Sequence, residues 1–336
     1  MEIARLKIRL TGSSILTSNQ AACACFVAGL LVTAGCSSAL YKPATATRPI
    51  RTLPEATVTF SGNSHPLRLR IVYPDAPGRY PLIIFSHGAS CSNRGYEILV
   101  EYWAHQGYVV ILPNHPDAGQ LDGLSRDTME KIFRIRLAEM SQIIVGLERI
   151  EVSYPELAGK IDHDRIAAAG HSMGALTAAV VSGLQLIGTG VARNSFREPG
   201  VRIALLLSGP GPLPNIAEDG WTGLTLPLLV TTGTKDQAKM AGPDATWEWR
   251  LSSYALTPAR NKFALVVQNA DHFLAGVICP EQANDLSYDS EALAILQSVS
   301  GAFLDAYLKN DSDARNFMTD EPLEKLTHGR AELRRR

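Results

Sequence analysis

The five residues Gly170-His171-Ser172-Met173-Gly174 constrain this chain more than any other segment. They fit G-x-S-x-G, a spacing that puts a serine at the apex of a sharp strand-to-helix turn. Glycine is needed on both sides because strand and helix pack too closely there for a side chain. The flanks agree with this. Arg165-Ile166-Ala167-Ala168-Ala169 is a short apolar run, readable as a buried strand. Ala175-Leu176-Thr177-Ala178-Ala179-Val180-Val181 reads as the start of a helix with small residues facing a sheet. A hydroxyl exposed at such a turn is suited to nucleophilic attack. The plain alternative is an ordinary glycine-rich turn.

Around this turn, apolar strand-like runs alternate with helix-like ones. Strand candidates are 57–60, 67–73, 82–85, 108–112, 165–169, 203–207, 226–231 and 263–267. The later ones are continuous apolar runs, as strands buried on both faces are. Helix candidates are 96–105, 128–150, 175–186, 247–254 and 291–308. The longest places Phe133, Leu137, Met140, Ile144 and Leu147 on one face and Lys131, Gln142 and Arg149 on the other. The expected fold is a single α/β domain with a mostly parallel eight-stranded sheet and helices on both faces. The Gly/Pro-rich stretch between 207 and 226 leaves no room for a large cap domain there. The expected folded region is 55–310, followed by a polar tail over 311–336 that ends in Arg334-Arg335-Arg336.

The N-terminus has a different character. Arg5, Lys7 and Arg9 precede an apolar run from Ala21 to Gly35. That run is shorter than the roughly 20 residues of a spanning helix and ends in small residues, as a secretory signal does. Thr33-Ala34-Gly35-Cys36 resembles a bacterial lipobox, with Thr33 where leucine is usual. The resemblance implies lipidation at Cys36 and a membrane anchor. Val32-Thr33-Ala34 also fits an ordinary cleavage site, which would release a soluble exported protein. The expected layout is a signal over 1–36 and a proline-bearing tether over 37–54. With the signal removed and Cys36 acylated, Cys91 and Cys279 remain as an even pair in an oxidising compartment.

The 336 residues carry a net charge of -1, which argues against a nucleic-acid partner. There is no C-x-x-C and no H-E-x-x-H, so no metal site is expected. No phosphate-binding glycine loop is present, and Gly188-Thr189-Gly190 lacks the third glycine and a preceding strand. No cofactor is expected.

A nucleophilic serine needs a base, and the base needs an orienting acid. Only His272 and His328 follow Ser172, and His328 lies in the polar tail. His272 follows the last strand candidate and is the expected base. Asp236 ends Thr232-Gly233-Thr234-Lys235-Asp236, just past strand 226–231, and is the expected acid. Asp271 competes but would have to fold back on its own neighbour, and Asp244 is a further outsider. The oxyanion of a tetrahedral intermediate needs backbone N–H donors. Met173, after the serine, and Ala89, after Phe85-Ser86-His87-Gly88, are the expected pair. His87 and His115 are expected to serve as structural hydrogen-bonding residues.

These motifs, with Tyr80 to Gly88, Gln106-Gly107-Tyr108-Val109-Val110, Ile161-Asp162 and Gly233-Thr234-Lys235-Asp236, resemble the α/β-hydrolase superfamily over roughly 55–310. The chain is similar to its secreted bacterial branch of dienelactone-hydrolase-like, platelet-activating-factor-acetylhydrolase-like and cutinase-like enzymes. Ser172 departs from the cysteine of dienelactone hydrolases proper, and Ala89 from the aromatic residue usual in cutinase-like enzymes. The resemblance implies a serine hydrolase that cleaves small-molecule or lipid carboxylic esters through an acyl-enzyme; a monomer is expected. Two alternatives stay open: a phospholipid acyl hydrolase at the membrane surface, and a non-catalytic surface-anchored binding protein. In this fold Cys91 and Cys279 follow loops on the same sheet edge, so a disulfide between them is expected. Two separate buried thiols are the alternative.

Overall fold

A computed structural model describes residues 39–43, 47–60, 65–120, 125–187, 196–238, 242, 245–274, 276–280 and 289–336. All belong to one compact unit, Ser38–Arg336. The expected signal with Cys36, the Gly188-Thr189-Gly190 loop and Asp244 lie outside the described residues.

Among the described residues nine strands form one sheet: β1 (Ile50–Val58), β2 (Leu67–Pro74), β3 (Tyr80–Ser86), β4 (Val109–Pro113), β5 (Ile161–His171), β6 (Val201–Leu207), β7 (Leu228–Gly233), β8 (Lys262–Val267) and β9 (Ala331–Arg335). Their order across the sheet is β1-β2-β4-β3-β5-β6-β7-β8-β9. The block from β4 to β8 is parallel, and β1, β2 and β9 are antiparallel to their neighbours. Helices α1 (Glu97–His105), α2 (Arg126–Val145), α3 (Leu147–Ser153), α4 (Met173–Val181), α5 (Ser252–Ala255), α6 (Ser290–Leu304), α7 (Ser312–Asp320) and α8 (Leu323–Leu326) complete it.

Alternating side chains on each strand feed two cores. Ile83 and Phe85 of β3, with Ile203 and Leu205 of β6, pack with α1 and α6 on one face. Leu82 and Ile84, with Ala204 and Leu206, pack with α2 and α4 on the other. This two-sided burial explains the unbroken apolar runs in the sequence. Parallel pairing puts the carboxyl ends of β3 to β8 on one edge, where the loops carrying the expected site residues emerge.

The expected boundaries are corrected at both ends. The tether over 37–54 is not a free linker in its described part. β1 starts at Ile50 within it, Arg48 donates its N–H to the His105 carbonyl, and the Tyr41 hydroxyl donates to Asp305 at 2.8 Å. Nor is 311–336 a polar tail. Asp311 caps α7 by accepting from the Ala314 N–H, and β9 pairs antiparallel with β8 from Phe263↔Arg335 to Val267↔Ala331. The sheet therefore has nine strands rather than eight, and Arg335 is not frayed: it donates to the Met318 and Glu321 carbonyls.

The expected helix over 128–150 is interrupted. α2 ends at Val145 and α3 begins at Leu147, with Gly146 between them. A Cβ at Gly146 would run into the Phe60 ring, so that site requires glycine. The expected helix over 247–254 is a 3₁₀ turn, Trp247–Leu251, running into α5.

Candidate active site

Ser172 sits between β5 and α4 with φ 54° and ψ -116°, a conformation that L-residues avoid. Packing holds it there. A Cβ at Gly170 would strike the Gly174 carbonyl, and one at Gly174 would strike the Ser86 carbonyl. The Ser172 N–H is tied to the Leu207 carbonyl of β6 at 3.0 Å. Both glycines of the motif are thus needed for close approach between strand, helix and the end of β3.

The structure brings together the three residues that chain order singled out. Ser172 Oγ lies 3.0 Å from His272 Nε2, and His272 Nδ1 lies 2.8 Å from Asp236 Oδ1. Asp236 is fully buried, and the His272 side chain is 26% exposed. Carboxylate oxygens only accept, so Nδ1 carries the hydrogen and Nε2 presents its lone pair to the serine hydroxyl. An imidazole held in this tautomer can take the hydroxyl proton, and the carboxylate can stabilise the imidazolium that forms.

Asp236 is held ionised. Burial pushes its carboxyl up, but the hydrogen bond from His272 and the charge of Arg250 outweigh this and bring it down to about 2. Arg250 Nε donates to Asp236 Oδ1 at 3.2 Å, and the Thr232 hydroxyl donates to Oδ2 at 3.1 Å. Arg250 Nη2 also lies 3.3 Å from His272 Nδ1. Both atoms are donors in the tautomer above, so that approach is a contact and not a bond.

The backbone of His272 is anchored as well. Its carbonyl accepts from His171 Nε2 at 2.9 Å and from the Ser208 hydroxyl at 3.3 Å. With Nε2 of His171 donating, its Nδ1 must accept, so the Tyr96 hydroxyl donates to it at 2.9 Å. The same Tyr96 oxygen accepts the Gly88 N–H at 2.9 Å. A continuous chain of hydrogen bonds therefore links the loop after β3, the residue before Ser172 and the residue carrying the base. Burial holds His171 well below the usual imidazole range, so it stays neutral in this chain.

Asp271 accepts the Phe273 N–H at 3.0 Å, within its own turn, whereas the carboxylate bonded to the His272 imidazole is that of Asp236. His328 lies in the turn between α8 and β9. His87 has a structural place: Nδ1 donates to the Gly88 carbonyl at 2.7 Å, and Nε2 accepts the His115 N–H at 3.0 Å. Burial and the charge of Arg136 push it down to about 3, so it is neutral. His115 is fully buried, with Nε2 at 2.8 Å from Ser86 Oγ and Nδ1 at 2.5 Å from Glu139.

Met173 is the first residue of α4, so its N–H has no acceptor within its own helix. Ala89 follows the anchored Gly88 in the loop after β3. Cys91 and Cys279 are joined by a disulfide that ties this loop to the segment beyond His272. Among the described residues, no group of three or more His, Cys, Asp or Glu is placed to hold a metal ion.

Two participants carry no sequence motif. Arg250 lies in Trp249-Arg250-Leu251 with nothing in the spacing to relate it to Asp236. Arg136 was readable in principle, since it is a charge among the apolar positions Phe133, Leu137 and Met140 of α2.

The Chlorophyllase family profile matches residues 47–191, a span that holds Gly88, Ala89 and Ser172 but neither Asp236 nor His272. Esterase YjfP of Escherichia coli strain K12 is 27% identical over 171 residues. That match covers 50% of this chain and 60% of the length of that esterase.

Proposed function

We propose that this chain, which is similar to α/β-hydrolase-type esterases, hydrolyses carboxylic esters through an acyl-enzyme formed on Ser172. The observation that carries this reading is the hydrogen-bond chain from Ser172 through His272 to Asp236, with links of 3.0 and 2.8 Å. In the first half-reaction the serine proton passes to His272 Nε2 as Oγ bonds the ester carbonyl carbon. The carbonyl oxygen becomes an oxyanion facing the N–H groups of Met173 and Ala89. Collapse breaks the ester C–O bond, and the leaving alcohol takes the proton from Nε2. Water repeats the sequence on the acyl-serine and releases the acid. Nothing in this cycle needs a metal or cofactor.

The test is direct. Ser172→Ala should lower kcat on p-nitrophenyl esters by on the order of 10⁴ to 10⁶ while the protein stays folded. A fluorophosphonate probe should label Ser172 in the unaltered protein. Asp236→Asn should cost far more activity than Asp271→Asn, because only Asp236 orients the imidazole. Labelling at another residue, or full activity in the alanine variant, rules the assignment out. Esters of increasing acyl length then define the substrate class, including a lipid acyl chain.

We further propose that the enzyme is exported and held at the cell envelope by a lipid on Cys36. The charged start, the short apolar run and Ala34-Gly35-Cys36 support this. Labelled palmitate should enter the protein and not its Cys36→Ala variant. A soluble mature protein with its N-terminus at Gly35 would show instead that ordinary signal cleavage operates.

A further inference from the structure

A fully buried ion pair lies beneath the loop that carries Ala89. Arg136 of α2 and Asp117, in the loop after β4, both have no exposed surface. Arg136 donates to Asp117 in fork geometry, Nε to Oδ1 at 3.1 Å and Nη2 to Oδ2 at 2.8 Å. The rest of the guanidinium reaches the end of β3 and the loop after it, with Nη1 3.4 Å from the Ser86 hydroxyl. Nη1 donates to the His87 carbonyl at 2.5 Å, and Nη2 to the Gly88 carbonyl at 3.1 Å. Asp117 Oδ2 in turn accepts the Ser90 N–H at 2.9 Å. The pair therefore holds the backbone on both sides of Ala89.

Peptide geometry converts this grip into a direction. The peptide between Gly88 and Ala89 is trans, like every other in the described chain, so its N–H points opposite to its C=O. The Gly88 oxygen faces Arg136 together with His87 Nδ1 and the Cys91 N–H, so the Ala89 N–H is turned away from the ion pair. The other flank of this loop is the serine turn. A Cβ at Gly88 would come within 2.8 Å of His171 Nδ1, next to Ser172. The loop is thus pinned between the guanidinium on one side and the turn carrying the serine on the other.

We propose that Arg136, locked by Asp117, is the positioning residue of the oxyanion site: it orients the Gly88–Ala89 peptide so that the Ala89 N–H meets the carbonyl oxygen of an ester attacked by Ser172. This rests on the esterase reading above. A packing role alone does not require charge. A buried ion pair gains little stability over apolar side chains of similar volume, because both charges must be desolvated. What a planar guanidinium supplies, and an apolar chain does not, is several donors in fixed directions. Here they serve one carboxylate, two consecutive carbonyls and the Ser86 hydroxyl.

The experiment compares the full chain with Arg136→Lys and with the double variant Arg136→Met, Asp117→Asn, which leaves no buried charge unpaired. Cooperative thermal unfolding establishes that each is folded. Three quantities are then measured: kcat and KM on p-nitrophenyl butyrate, the affinity for an alkyl trifluoromethyl ketone, and the pH profile of kcat. The ketone adds to the serine and places its oxyanion where the intermediate has its own. The double variant should lose on the order of 10² to 10³ in kcat with KM nearly unchanged. Ketone affinity should fall by a similar factor, while the pH profile stays in place because His272 and Asp236 are untouched. Arg136→Lys should fall in between. A folded double variant with kcat and ketone affinity within about threefold of the parent overturns the proposal and leaves the esterase reading standing. An unaltered protein that reacts with neither fluorophosphonate nor ketone overturns both.

Discussion

Glu139 and His115 approach to 2.5 Å, yet the pair is best described as uncharged. Burial pushes the Glu139 carboxyl up to about 8, and burial with the nearby charge of Arg136 holds His115 well below its usual range. Glu139 then donates its proton to Nδ1, and Nε2–H of His115 donates to Ser86. The sign of the pH effect follows. In the unfolded chain a glutamate loses its proton near about 4.3. In the folded chain Glu139 keeps it up to about 8. Between those values the folded state binds one proton more, so stability falls as pH rises, by on the order of 1 kcal/mol per unit. Glu139→Gln mimics the protonated form. Its melting temperature should gain on the parent steadily from pH 5 to 8 and level off above that. A difference that does not change with pH would show that Glu139 is ionised in the fold. This group, like Asp117 and Arg250, is invisible to sequence patterns. Its state depends on burial and on partners distant in the chain. Ser172, by contrast, is legible because the glycines around it encode the close approach. His272 and Asp236 are legible because each follows a strand whose end must lie on the same edge as Ser172.

At the scale of elements, strands buried on both faces are legible as apolar runs, and those at the edges are not. β1 contains Pro54, which interrupts a strand pattern, and the structure places it at the register shift between Leu53 and Ala56. Edge strands and bulges are where proline is tolerated, since no ladder hydrogen bond is lost. β9 reads Ala331-Glu332-Leu333-Arg334-Arg335, with only Ala331 and Leu333 turned into the core. Its charges look like a solvated tail until β8 is seen beside it. A chain ending after Gly329 tests what this strand does. It would expose the edge of Lys262-Phe263-Ala264-Leu265-Val266-Val267, an apolar strand with unpaired backbone groups. The truncated protein should melt at lower temperature and scatter light on standing, with burial of Leu333 alone contributing about 1.5–3 kcal/mol. A monodisperse truncation with unchanged melting temperature would mean that β9 is dispensable to the sheet.

For the molecule as a whole, the alternation of strand and helix made the layered α/β architecture legible, and chain order made its working edge legible. How the loops along that edge are joined is a matter of three-dimensional distance. Cys91 and Cys279 are 188 residues apart in sequence, with Cα atoms 5.8 Å apart in the fold. Local backbone contacts hold both ends: the Cys91 N–H donates to the Gly88 carbonyl at 3.2 Å, and the Cys279 N–H to the Gly95 carbonyl at 2.6 Å. The bond therefore couples the loop bearing Ala89 to the segment after His272, on either side of Ser172. Closing so long a loop restricts the unfolded chain and stabilises by about 5 kcal/mol on the chain-entropy argument. For a domain of this size that corresponds to a melting-temperature change on the order of 10 °C. Non-reducing peptide mapping of protein made in an oxidising compartment should recover the two cysteines in one cross-linked pair. The Cys91→Ala, Cys279→Ala double variant should melt lower by about that margin. Its kcat should fall as well, because the two loops can then move apart. Two free, alkylatable thiols in the folded, active enzyme would exclude the bridge. A double variant with the parent's melting temperature would show that the loops are held by packing alone.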